Sequence, residues 1–136
     1  MIQEGWLRSP YDPAPAPLWT DDRAIHRLIT LDHLLRMRSG LAFPVRHEDG
    51  RTSIGFENSA IYQDAGDAFE AAQRSIVATI PGAVFRYVNS GMNVLGAIIR
   101  DQIERRSLPY YETAYDCWST AWAWVATSTP PIWPAT

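Results

Sequence analysis

The sequence predicts a mainly α fold, and three observations carry that prediction. Apolar residues recur at helical spacing from Val94 to Ile103. A leucine-rich run lies between a capping Thr30 and Gly40. No segment alternates apolar and polar residues as a half-buried strand does. The 136 residues suffice for one ordinary domain and are too few for two of typical size.

Residues 1–22 divide into MIQEGWLRS and PYDPAPAPLWTDD. Pro10, Pro13, Pro15 and Pro17 forbid a helix there and favour an extended, polyproline-like path. In the following stretch Thr30 is the N-cap of a helix over 31–38. Leu31, Leu34, Leu35 and Met37 form its apolar face, and Gly40 sits where a C′ glycine belongs. Residues 44–66 are polar and turn-rich and read as a long surface loop. A second helix is expected from Asp67, its cap, to Thr79, with Phe69, Ala72, Gln73 and Ile76 on one face. Pro81-Gly82 stops and turns the chain. A third helix is expected from Gly91 or Met92 to Arg106. It turns Val94, Leu95, Ile98, Ile99 and Ile103 inward and Arg100, Asp101, Glu104 and Arg105 outward, and Ser107-Leu108-Pro109 ends it. A shorter helix begins near Tyr110.

Composition closes several classes of function. The net charge of −3 gives no reason to expect nucleic acid as a partner. A single cysteine, Cys117, excludes an internal disulfide and a cysteine-only metal site. No apolar run of about 20 residues is present, so no membrane span is expected, and there is no signal peptide at Met1. All twelve basic residues are arginine. Arginine keeps its proton, whereas lysine can lose one and act as a base; lysine-base and Schiff-base chemistry are closed to these residues alone.

The stretch PGAVFRYVNSGMNVLGAIIR, residues 81–100, holds Tyr87-Val88-Asn89 between Gly82 and Gly91. Taken alone, Tyr-x-Asn occurs by chance in about one chain in five of this size. Its context resembles the Pro-Gly-x-x-Phe-x-Tyr-x-Asn-x-Gly-x-Asn-x-Leu-Gly pattern of serine β-lactamase-like hydrolases. That family includes class C β-lactamases, esterases, D-aminopeptidases, penicillin-binding proteins and aminohexanoate-oligomer hydrolases. ITLDHLLRMRSGLAF, residues 29–43, resembles the same family's Ile-Thr-Leu-x-His-Leu-Leu-x-Met-x-Ser-Gly-Leu segment. The two matches stand in family order and cover residues 29–106.

The resemblance implies the α/β β-lactamase/transpeptidase-like fold, with residues 1–116 as a fragment of its helical lobe and the central antiparallel sheet largely missing. It implies acyl-enzyme hydrolysis of a small-molecule amide or ester, with no cofactor and no metal. In the family a serine nucleophile and its lysine stand in Ser-x-x-K. The motif tyrosine shuttles protons for that pair, and the motif asparagine orients the lysine and the substrate amide. By position these roles fall to Tyr87 and Asn89. Without lysine, Ser-x-x-K cannot be present, and neither Lys-Thr-Gly nor His-Thr-Gly occurs. MIQEGWL resembles the end of the helix that follows the nucleophile, which would make Met1 an internal methionine. The expectation is a fragment that is inactive alone. The alternative, from another class, is a non-catalytic helical binding module in which Tyr87 packs on the third helix and Asn89 caps it.

Residues 117–136 carry four of the six tryptophans and match nothing in the family. Read one base out of frame from Cys117-Trp118, the codons permit Leu-Val-Asp-Arg-Leu-Gly-Met-Gly, where the family often continues Leu-x-Asp-x-Leu-Gly-Met. A frameshift near codon 116, with residues 117–136 an out-of-frame tail, is the expectation, beside two other readings of clustered tryptophan: a membrane-interface belt and a disordered proline-rich end. His26, His33 and His47 are expected to be surface or capping residues rather than ligands. Arg100, Arg105 and Arg106 read as a solvated helix face, and Ser39 and Ser90 as turn residues.

Overall fold

The computed structural model describes residues 1–20, 24–46, 49–55, 60–63, 66–116 and 119. Its first α-helix, α1 (Leu31–Leu35), starts where expected, at Thr30. The Thr30 hydroxyl accepts the His33 N–H at 3.1 Å, and the Thr30 N–H donates to His33 Nδ1 at 3.3 Å, which is a capping box with histidine in place of glutamate. The helix stops short of the expected residue 38. Met37 takes a left-handed φ of 55°, its N–H donates to the Leu34 carbonyl, and the Arg38 N–H donates to that of His33. That pair of bonds is a Schellman closure, so Met37 and not Gly40 is the C′ residue. Leu31 and Leu34 are buried, while Leu35, expected on the same face, is exposed.

The expected loop over 44–66 is a correction. Strand β1 (Leu41–Arg46) turns back as β2 (Thr52–Gly55) in antiparallel register, Phe43 opposite Gly55 and Arg46 opposite Thr52, and α2 (Ala60–Gln63) follows. The second helix is also shorter than 67–79. Helix α3 (Ala68–Gln73) ends and Ile76–Val77 becomes β3, paired with Leu41 and Ala42 on the other edge of β1. The last turn tightens, with Arg74 N–H donating to Ala71 O and Ser75 N–H to Ala72 O, and the Gln73 carbonyl just beyond accepts Trp19 Nε1 at 3.0 Å. Ile76 and Val77 are β-branched, which suits them to the strand they join. The sheet order is therefore β2–β1–β3, all antiparallel. Pro44 is tolerated in the middle strand because β3 pairs no farther than Ala42. Beyond that point this edge of β1 has no ladder to which Pro44 would have to donate. Helices still predominate among the described residues, as predicted; the expectation of no strand does not hold.

Asp67 caps α3 as expected, accepting from Phe69 N at 2.8 Å and Glu70 N at 3.2 Å. Its other oxygen takes Arg100 Nη1 at 2.7 Å. The Arg100 hydrogen bond, reinforced by the two backbone bonds, holds this carboxyl below its ordinary value against the opposing effect of burial. A carboxylate depressed in the folded state contributes stability above the unfolded value near 3.9, and that contribution is lost as pH falls through the lower folded value. Asp67→Asn is therefore expected to flatten the acid limb of stability below about pH 4. Asp67→Ala is expected to cost roughly 1 kcal/mol at neutral pH through the lost cap. Urea midpoints measured against pH check both.

Helix α4 (Asn89–Glu104) starts two residues before the expected Gly91. Val94, Ile98 and Ile103 are buried as predicted; Ile99, predicted inward, is 37% exposed. The chain divides into two compact units, residues 1–101 and 102–136. The core of the first gathers Ile29, Leu31, Leu34 and Leu41 with Val94 and Ile98, and it includes Ala14, Ala16 and Trp19 from the proline-rich arm. That arm has no helix, as expected, but it is not a continuous extended run: Pro13 is bridged to Thr30, and Ala16 N–H to Ala14 O and Trp19 N–H to Ala16 O close turns along it. At its start Gly5 (φ 70°) donates to Ile2 O and Trp6 to Met1 O, the hydrogen-bond pattern by which helices end. In the second unit Ser107 (φ 54°) donates to Glu104 O and Leu108 to Ile103 O, the same closure again. Residues 110–116 are helical, with the Tyr110 and Tyr111 rings edge-on at 5.5 Å. The expected out-of-frame tail lies outside the described residues apart from Ser119. Among the described residues no helix is long and apolar enough to cross a membrane.

Candidate functional site

The left-handed turn at Met37 leaves two carbonyls at the end of α1 free of the helix. The loop that carries Tyr87 and Asn89 is laid on them: Gly82 N–H donates to Arg38 O at 2.8 Å and Arg86 N–H to Met37 O at 2.8 Å. The two sequence segments 29–43 and 81–96 are thus bonded to each other. Gly82 is required for the fit. Its φ is 85°, and a Cβ there would stand 2.9 Å from His33 Nε2. His33 is held in place by the capping box, in which Nδ1 accepts a backbone N–H.

Farther along the loop, Val88 is buried at 4% exposure and anchors it. Tyr87, on the other side of that anchor, is 62% exposed, and its hydroxyl forms no hydrogen bond among the described residues. The alternative expectation of Tyr87 packed on the third helix does not describe a side chain so open. Asn89 is the first residue of α4 rather than the residue before it. The second motif asparagine, Asn93, is buried, and its Nδ2 donates to the Asn89 carbonyl and to Tyr62 Oη, each at 2.9 Å. Tyr62 lies on α2, inside the stretch read as a surface loop, and nothing in the sequence pointed to it. Gly96, one turn on, lets the Phe69 ring approach so closely that a Cβ would meet it at 2.6 Å. Gly91 sits over Leu34 and Ser39, with Ser39 Oγ 3.9 Å from where its Cβ would be.

The remaining candidates fall into place separately. His33 caps, as expected. His26 is neither surface nor cap: it is buried, its Nε2 is 2.8 Å from the Ser75 carbonyl, and its ring lies 5.3 Å from that of Trp19. His47 lies outside the described residues. No group of three potential metal ligands occurs among the described residues. Ser39 sits in a bend as expected, but Ser90 lies within α4 and is not a turn residue. Arg100 bonds Asp67 and stands 5.0 Å over the Phe69 ring, and Arg106 folds back on Gln102; both serve local structure. Comparison with protein-family models, curated proteins and solved structures finds no match to this chain.

Proposed function

We propose that residues 29–106 are part of the helical lobe of a serine β-lactamase-like hydrolase scaffold. In this reading Tyr87-Val88-Asn89 is an inherited active-site loop, and these residues alone do not turn over amides or esters. The observation that carries the reading is the direct bonding of the two motif segments, Gly82 N–H to Arg38 O and Arg86 N–H to Met37 O. Two stretches that resemble consecutive motifs of one family have reason to touch if they descend from one site. The open side chain of Tyr87 fits a loop built to present a phenol. The exposed Leu35, Val84 and Phe85 on the same two segments, and Ile80 just before the second, fit a scaffold face that other elements once covered.

Acyl transfer needs an activated nucleophile and a base as well as groups that position and shuttle. Tyr87 and Asn89 are of the second kind, and the sequence has no lysine to supply the first. Purified chain is expected to leave nitrocefin and p-nitrophenyl acetate at background rates, with wild type and Tyr87→Phe indistinguishable. Turnover that Tyr87→Phe abolishes would overturn the inactivity. An uncovered scaffold face should also bind a hydrophobic dye, less so after Phe85→Ser. A chain that takes up no dye and unfolds in one cooperative transition is instead a self-sufficient interaction module.

A further inference from the structure

We infer that Tyr62 is a substrate-contacting hydrogen-bond donor of the Tyr87–Asn89 loop, taking the carbonyl oxygen of an amide or ester; this rests on the function proposed above. The inference comes from the direction of one proton. Asn93 Nδ2 is 2.9 Å from the Asn89 carbonyl and 2.9 Å from Tyr62 Oη. A main-chain carbonyl can only accept, so the carboxamide must turn its nitrogen toward it, and the orientation of the amide is fixed by its partner. The second N–H of that nitrogen then goes to Tyr62 Oη, which accepts it.

A phenol oxygen that accepts from Asn93 must send its own hydrogen elsewhere. Among the described residues no group takes it, and the Tyr62 side chain is 53% exposed while Asn93 is 9% exposed. The protein thus fixes the acceptor side of this hydroxyl with a buried amide and leaves the donor side outward. Because the same nitrogen binds the first residue of α4, the phenol is held beside the loop's asparagine. Tyr87 provides a second open phenol two residues earlier, without any such orientation. A carbonyl oxygen, which accepts and never donates, is the complement of a donor set in this way.

The test is a titration of the ¹⁵N-labelled chain with N-acetylglycine methylamide, followed at the Asn93 side-chain NH₂. Those signals are expected to shift with ligand. The Tyr62→Phe variant keeps the ring and is expected to bind roughly three- to tenfold more weakly, the worth of one hydrogen bond. The thioamide analogue, a poorer acceptor, is expected to lose affinity in wild type and nothing further in Tyr62→Phe. A purely structural role for Tyr62 would lower the urea midpoint without producing that coupling. Equal affinity of wild type and Tyr62→Phe overturns the inference. If Tyr87→Phe still weakens binding in that case, the active-site reading of the loop survives. Absence of any Asn93 shift in wild type also overturns the inference, and leaves that reading to the turnover and dye experiments.

Discussion

Replacing Gly40 by alanine is expected to destabilise the chain by about 4 kcal/mol, a large part of what an ordinary domain has. Two separate penalties add. Gly40 sits at φ 77°, a left-handed conformation that costs a residue with a Cβ roughly 1–2 kcal/mol. The new Cβ would also lie 2.2 Å from the Thr79 carbonyl oxygen and 3.1 Å from its carbon. Backbone atoms cannot swing aside as a side-chain tip can, and overpacking of this kind costs roughly 1–3 kcal/mol. Relief by separation is blocked as well. The Gly40 carbonyl accepts the N–H groups of Ala78 and Thr79, and the next residues, Leu41 and Ala42, pair with β3. Gly50 is the control: its φ is 79°, with nothing within 4 Å of a built Cβ, so Gly50→Ala carries the conformational penalty alone. Thermal melts are expected to show a drop on the order of 10–20 °C for Gly40→Ala and a few degrees for Gly50→Ala. Similar small drops for both would mean that the contact with Thr79 is not tight.

The origin of this contact shows what the sequence could disclose. A glycine after a leucine-rich helix is a fair candidate for a C′ residue, and Gly40 does have positive φ. The helix had already ended at Met37, however, through a left-handed methionine that propensity disfavours. Tertiary bonding accounts for the choice: the Met37 and Arg38 carbonyls receive the 81–88 loop, which composition alone does not predict. Where a local cap is present, as at Thr30 and Asp67, the sequence located the helix start, and the helical period placed Val94, Ile98 and Ile103 of α4 in the interior. The sequence failed where long-range bonds decided. Trp19 Nε1 takes the Gln73 carbonyl where α3 ends, and Ile76–Val77 pairs with Leu41 and Ala42 as β3. Pro44 hid β1, since a proline argues against a central strand unless one knows that its second neighbour stops early. The turn at Pro81-Gly82 and the helix behind the Tyr87 loop were legible, although that helix begins at Asn89 rather than at Gly91. The link from Asn93 to Tyr62 was not, because it joins residues that share no local pattern and are 31 apart.

Trp19→Ala is expected to cost about 3–5 kcal/mol and to free the proline-rich arm before the rest of the first unit opens. The ring is 8% exposed, lies tilted 53° to His26, and belongs to the central cluster with Ile29 and Leu34. Its removal leaves a void of indole size at a site whose neighbours are fixed by hydrogen bonds and collapse poorly. Trp19→Phe separates packing from bonding. Most of the ring volume stays, but the Gln73 carbonyl loses its donor, which costs roughly 1–3 kcal/mol for a buried group left unpaired. The arm has its own reporters. Ala14 N–H donates to Ile29 O at 2.8 Å, Leu18 N–H to Gln73 Oε1 at 3.0 Å, and Trp19 N–H to Ala16 O at 3.0 Å. In Trp19→Ala these three amides should exchange much faster than in wild type, while those of Val94 and Ile98 in α4 show the least change. If all of them accelerate together, the arm is no separable strap but an integral part of one cooperative core. If none does, the buried indole contributes little, and the chain's proline-rich start is held by its backbone bonds alone.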